Sequence, residues 1–446
     1  MSNSMSASET DFYDRAVETL DRVALGRLQD EKIRRLAEHL AASQFYVEKA
    51  ATAGLDIREI RDREGLKRLP FTTKSELVFE QTEHPPYGRL LTRPLSEYRH
   101  FHQTSGTTGR PLKVVDTVES WEWWCRCWGY VYRAAGVGEG DSVFCAFSFG
   151  PYLSHWAGIA GAWHVGAMAI AGGGMGSEQR LQLMLDNQCT VIVCTPTYAL
   201  HLAEVARARG IDLAGSSVRI GIHAGEPGAS LPNVKSAIEQ AWGMSCFDHA
   251  GATEAGAWGF DCQAQTGAIH LNEAEFVFEV IDPQTADPVE EGARGELVVT
   301  NLGRSAMPVL RYRTGDLVER TTESCGCGRG FARISGGVLG RSDDMMIVRG
   351  VNLYPAAIDD LMRSFAQVVE YEVEIRMREG MHDLLVKIEP GASDERAQLG
   401  DEVAQAFRRQ FNIRVEVQPV TPGSLPRYEF KARRFKKVVE DAGGRL

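Results

Sequence analysis

Apolar residues recur every three to four positions through DRAVETLDRVALGRL and KIRRLAEHLAASQF. That spacing lines one face of a helix, so the first ~90 residues read as helical. From residue 141 the pattern changes to short apolar runs: DSVFCAFSF, TVIVCTP, VRIGIHAG and MSCFDHAG. These predict buried strands, and segments 177–187, 197–210 and 231–242 predict helices between them. Such alternation builds a largely parallel sheet covered by helices. The stretch 155–175 comes nearest to a membrane span, but its histidines and glycines fit a buried helix followed by a strand and loop.

Between 269 and 320 the runs HLNEAEFVFEVIDPQT, GELVVTN and YRTGDLVER are separated by turn residues, the mark of antiparallel strands. Near GRSDDMMIVRG the pattern shifts again, to a helix, a strand pair, a helix and a strand. The expected fold class is α/β. A large N-terminal domain, 1–342, would hold helix-covered, mostly parallel sheets plus an antiparallel subdomain. A small α+β domain would occupy 343–446.

Composition adds exclusions. A length of 446 residues, 43% hydrophobic and 24% charged, suits a globular enzyme of two unequal domains. With 49 basic against 60 acidic residues the net charge is −11, which argues against nucleic acid or an anionic membrane as partner. The opening MSNSMSASETDFYDR has no apolar signal core, so a cytoplasmic location is expected. Nine cysteines then read as thiols or metal ligands. Oligomeric state is not legible, and a homodimer stays open.

The candidate chemistry begins at QTSGTTGRPLK, 103–113. Gly106 and Gly109 permit a tight turn, and Thr104, Ser105, Thr107 and Thr108 add hydroxyl donors beside backbone N–H groups, a nest for phosphate. Arg110 and Pro111 separate the last glycine from Lys113, so the run is not the loop of P-loop ATPases. A plain hairpin turn is the alternative. Glu254, in DHAGATEAG past a strand end, is placed to hold Mg²⁺ or to favour a helix N-terminus that Thr253 caps. Asp316, in YRTGD, suits a ribose diol or an ordinary surface turn.

TSGTTGRP, GEP, AGATE, YRTGD, GRSDDMMIVRGVNLYP and LPRYEFKARR, in this order, resemble the adenylate-forming superfamily, most closely its phenylacetate–coenzyme A ligase branch. The resemblance implies a two-step reaction, in which ATP and a carboxylate give an acyl-adenylate and coenzyme A then displaces AMP. By the same resemblance Thr104 to Gly109 and Lys113 would hold the β- and γ-phosphates, Glu254 Mg²⁺, and Asp316 the ribose, with Arg341 on ribose or phosphate. Further nucleotide contacts would come from Gly225, Glu226, Pro227, Asp248, His249, Ala250 and Thr253. Lys431 occupies the place of the adenylation lysine, where a cation offsets charge as carboxylate and α-phosphate meet; read alone, KARRFKK is a solvated basic run. The small domain would be mobile, with Asp343 as hinge and Arg349 and Gly350 at the pantetheine tunnel. Ala250 departs from the pattern, which has a tyrosine there to stack on adenine. That leaves an acceptor other than coenzyme A (an amine, a carrier protein or a deazaflavin) or a silent nucleotide-binding paralogue as alternatives.

In the same family FSFGPYLSHWAG lines the acid pocket. That makes Phe149, Tyr152, His155 and Trp156 candidates, with Ala224, Gly225 and Gly251 opposite. Aromatic walls suit an aromatic carboxylic acid, and the absence of arginine from the stretch favours one carboxylate only. Cys325 and Cys327 in ESCGCGRG, with Cys262 and His270 eight residues apart, are a complete set for a structural Zn²⁺. Relatives carry a comparable set; two unrelated pairs are the alternative.

Overall fold

The computed structural model describes residues 11–104, 110–264, 267–378, 381–391, 396–429 and 431–438. Residues 105–109 of the candidate phosphate loop lie outside the described residues.

The N-terminal pattern resolves into a short helix, Arg15–Glu18, and one long helix, Arg22–Leu40. The break falls where Asp21 turns its carboxylate onto the Ala24 N–H at 2.8 Å, capping the second helix. Leu25, Ile33, Leu36 and Leu40 form its buried stripe. A capping box of Thr73 and Glu76 starts the helix Lys74–Glu83.

The parallel strands expected from the apolar runs are Ser142–Cys145, Met168–Ala171, Val191–Cys194, Ile220–Ala224 and Ser245–Ala252. The antiparallel strands that follow do not form a separate sheet. Ser245–Ala252 pairs in parallel with Ile220–Ala224 on one edge and antiparallel with Gly256–Phe260 on the other. The ladder continues through Ala268–Leu271, Arg333–Ser335, Tyr312–Thr321, Arg294–Asn301 and Phe276–Ile281. All belong to one hydrogen-bonded sheet of twelve strands.

The helix Val118–Ala134 packs against Leu153–His164, which fills the 155–164 stretch as expected. The approach is close because Gly161 has no side chain: a Cβ there would sit 2.3 Å from Trp128 Cβ. Trp128 is consequently buried, and Trp123 is buried against Phe276. The C-terminal residues build their own core around Ile358, Met362, Val373, Val386 and Phe407. Its sheet orders Glu416–Pro419, Met381–Pro390, Val368–Arg378 and Phe435–Val438. No helix among the described residues is long and apolar enough to cross a membrane.

One buried ion pair ties strand to loop. Arg304 grips Asp116 with two bonds of 2.7 Å, at 1% and 0% side-chain exposure, and donates a third of 2.9 Å to the Glu254 carbonyl. Removing one partner strands the other charge in the core, which costs about 3–5 kcal/mol. Arg304→Ala is therefore expected to lower the thermal midpoint markedly; a midpoint within a degree of the parent protein would contradict this account.

Candidate active site

The carboxyl ends of the parallel strands open onto one cavity of about 500 Å³. Chain leaving Ile220–Ala224 supplies Gly225, Glu226 and Pro227; chain leaving Ser245–Ala252 supplies Thr253 and Glu254; Asp248, His249, Ala250 and Gly251 contribute from the strand itself. Asp316, Arg341, Asp343, Thr104 and Lys431 complete the part of the lining expected from sequence.

The cavity has a polar half. Tyr312 donates to Glu254 Oε1 at 2.5 Å, and Lys74 Nζ stands 3.5 Å from the same oxygen. Glu254 lies in the turn between two strands, so the helix-capping alternative falls away. Asp316 is in the ladder opposite Arg341, whose guanidinium reaches it at 3.4 Å and Asp343 at 2.8 Å. Its amide binds Thr314 Oγ1 at 3.0 Å, beside a register shift at Glu296/Val298 that reshapes the strand. The surface-turn alternative for Asp316 falls away too. Burial lifts the Asp316 carboxyl to about 6, in spite of Arg341. Burial likewise lifts Asp248, bonded to Ser230, to about 6.

Lys431 arrives from the C-terminal segment. Its Cε passes so close to Gly225 that a Cβ there would be 3.3 Å away, and Gly225 also has φ +94°, a conformation side chains disfavour. Glu226 fixes the backbone beside it. One carboxylate oxygen accepts from Ala432 N at 3.0 Å, the other from Thr197 N at 2.9 Å, in the first turn of the helix Pro196–Ala208. The lysine faces the open cavity, yet surrounding protein crowds its ammonium, and this desolvation lowers its pKa against the pull of Glu226.

The other half is aromatic, and its walls differ from those expected. Of the four residues picked from FSFGPYLSHWAG, only Tyr152 lines the cavity. Phe149 packs edge-on against Trp156, which is 45% exposed and bonds Gly150 O. His155 stands behind Phe147, stacked at 4.4 Å and 5°. Phe147, Leu153, Trp124 and Trp128 form the wall instead. The helix bearing both tryptophans has no motif, so only its aromatic content hinted at a pocket. Lys113 is also absent from the lining: its Nζ is 3.3 Å from Pro86 O. Lys74 stands in the cavity in its place, and the Thr73–Glu76 capping pattern was its one sequence signal. Arg349 and Gly350 form a turn remote from the cavity, with φ of +48° and +83°. Thr104 makes mutual bonds with Leu112: its amide donates to the Leu112 carbonyl, and the Leu112 amide donates to Thr104 Oγ1, each at 3.0 Å.

Cys262, His270, Cys325 and Cys327, none of which lines the cavity, are buried with their ligand atoms within 4.8 Å of one another. Cys262 Sγ to Cys325 Sγ is 3.7 Å and Cys327 Sγ to His270 Nε2 is 3.3 Å. Two sulfurs on a tetrahedral zinc at ~2.3 Å are about 3.8 Å apart, so the set fits such an ion.

A buried carboxyl whose folded pKa exceeds its unfolded value stabilises only while protonated, and stability drains as pH rises from about 4 through about 6. Asp316→Asn is therefore expected to gain thermal midpoint on the parent as pH increases across that window. A constant difference between pH 4 and 7 would refute the raised carboxyl of Asp316.

The chain matches the family described as AMP-binding enzyme over residues 92–307 and AMP-binding enzyme C-terminal domain over 350–437. It is 33% identical to phenylacetate–coenzyme A ligase of Thermus thermophilus, an alignment covering 97% of this chain and 93% of the relative. Identity to the Escherichia coli enzyme of the same name is 30%, covering 94% and 96%. A 2-hydroxyisobutyryl-CoA ligase in the postadenylation state with 2-HIB-AMP superposes with TM-score 0.92 at 28% identity, covering 98% of this chain and 94% of that one. The same ligase with CoA in its thioesterification state gives 0.73, covering 98% and 95% at 28% identity. With an identity of 33% over nearly the whole of both chains, the chain belongs to the adenylate-forming AMP-binding enzyme family, in its phenylacetate–coenzyme A ligase-like branch of acid–thiol ligases.

Proposed function

We propose that this enzyme joins an aryl acid of phenylacetate or benzoate type to coenzyme A through an acyl-adenylate, consuming ATP and releasing AMP and pyrophosphate. The observation that carries the reading is Lys431, delivered by the C-terminal segment to the cavity that holds Glu254 and Asp316 at one end and an aromatic wall at the other. The ring of the acid packs against Trp128 and Phe147, and its carboxylate faces the polar half. A carboxylate oxygen attacks the α-phosphorus, the bond to the β-phosphate oxygen breaks, and pyrophosphate leaves. Lys431 bridges the attacking carboxylate and the α-phosphate, offsetting the charge that gathers between them. Asp316 accepts from the ribose hydroxyls. Glu254 offers the hard oxygen donor that Mg²⁺ prefers, and the ion would neutralise phosphate charge there. Residues 104–109 hold the outer phosphates.

In the second step the thiol attacks the acyl carbonyl and AMP departs. The closer likeness to a postadenylation state than to a thioesterification state supports a C-terminal unit, 343–446, that turns at Asp343 to bring Arg349 and Gly350 inward. Contacts that such a turn would break are Asn233 to Asp360 at 2.9 Å, Arg427 to Glu204 at 2.9 Å and Glu226 to Ala432. The four buried ligands of the Cys/His set would hold Zn²⁺, with no position left for water. The ion would be structural, joining the strand pair after Glu254 to the chain entering Arg333–Ser335.

Lys431→Ala is expected to cut acid-dependent pyrophosphate exchange by at least about 10²-fold while a supplied acyl-adenylate still reacts with coenzyme A. Gly350→Leu should show the reverse, with Gly350→Ala sharing the backbone penalty but sparing the tunnel; equal loss of both half-reactions in each variant would defeat the assignment. For the metal, one zinc per chain is expected by elemental analysis. Cys327→Ser should lose it together with several degrees of thermal midpoint, whereas trace metal and an unmoved midpoint would count against the site.

A further inference from the structure

His249 lines the cavity from the strand Ser245–Ala252 and is buried, at 6% exposure. Its Nδ1 lies 2.8 Å from the Gly259 carbonyl oxygen. A carbonyl can only accept, so Nδ1 carries the proton and the lone pair is left on Nε2. Burial pushes the imidazole down to about 4, which keeps the ring neutral across the working range. No described residue bonds Nε2, and Nε2 is not among the enclosed polar atoms lacking a partner, so it opens onto the cavity. His223, at a neighbouring strand position, differs: its Nε2 is sealed in the core. The His249 ring packs on Trp128 at 4.6 Å and 55°, which sets it in the aromatic half, where the proposed function puts the acid.

We infer that His249 is a specificity-determining residue that accepts a hydrogen bond from a hydroxyl or amino group carried by the acid, so that the substrate class is a hydrogen-bond-donating monocarboxylic acid. The inference rests on the proposed acid–coenzyme A ligase reading and narrows it. A fixed neutral acceptor in an otherwise apolar wall gains only from a donor. A hydrogen leaves the lone pair unmatched, a methyl ether brings oxygen against nitrogen, and a second carboxylate is repelled. One neutral hydrogen bond in such a wall is worth about tenfold in kcat/KM.

The test is pyrophosphate exchange on matched triplets: an acid, its hydroxy derivatives and the corresponding methyl ethers. Phenylacetate, benzoate and isobutyrate serve as parents. At least one hydroxy acid should exceed both its parent and its ether by about tenfold. His249→Phe should collapse that ratio to near unity, whatever the absolute rates. His249→Gln, which offers an acceptor oxygen, should retain part of it and decides the matter if the phenylalanine variant does not fold. Parents and ethers matching every hydroxy acid, or a preference that survives both substitutions, would overturn the inference while leaving the ligase reading intact. Absence of exchange with any acid would overturn the ligase reading and this inference with it.

Discussion

The strand Ser245–Ala252 must satisfy a parallel neighbour on one edge and an antiparallel neighbour on the other. Its register sets which side chains enter the cavity, because a slip of one residue would turn His249 to the opposite face. The same double pairing forces a tight reversal between Ala252 and Gly256, and Glu254 sits at that reversal. Arg304 then locks the reversal by holding the Glu254 carbonyl while paired to Asp116. The Glu254 segment is thus positioned by main-chain geometry and one buried ion pair. It is not left to the rotamer of a mobile loop.

The second constraint joins the two halves of the chain. Glu226 spans from the first turn of one helix to the amide next to Lys431, and so ties the segment that carries the lysine to the N-terminal half of the chain. Arg434, buried three residues on, makes a matching link through Glu370 and Thr197. These are hydrogen bonds and ion pairs at a partly polar seam, the kind of contact that rotation can exchange at modest cost. A sealed apolar interface would hold the unit in one position. A polar seam is compatible with the proposed turn of the C-terminal unit between the two half-reactions.

Strand and helix assignments from 141 onward were legible because buried parallel strands are short and uniformly apolar, and because the residues that end them are glycine and polar. The polar half of the cavity was legible for a related reason. Glu254, Asp316, Arg341 and Lys431 sit in short strings whose order along the chain carries the resemblance. The aromatic wall was not legible. Phe149 and Trp156 look like Phe147 and Trp128 in sequence, and only packing decides which rings face the cavity. Lys113 departs from expectation for the same reason, since a lysine near a glycine-rich run can point to either side of its strand.

The sequence by itself determined the residue types, their order and the local periodicities, because these follow from burial and backbone preference within a few neighbours. It therefore settled the fold class and supplied the polar motif residues and the four candidate metal ligands. Tertiary structure decided which side chains share a cavity, that the antiparallel strands extend the parallel sheet, and that Cys262 and His270 meet Cys325 and Cys327. It also decided the proton position on His249, which depends on a carbonyl ten residues away and across a strand pair. Each of these depends on contacts between residues distant in the chain, whose geometry no local pattern encodes.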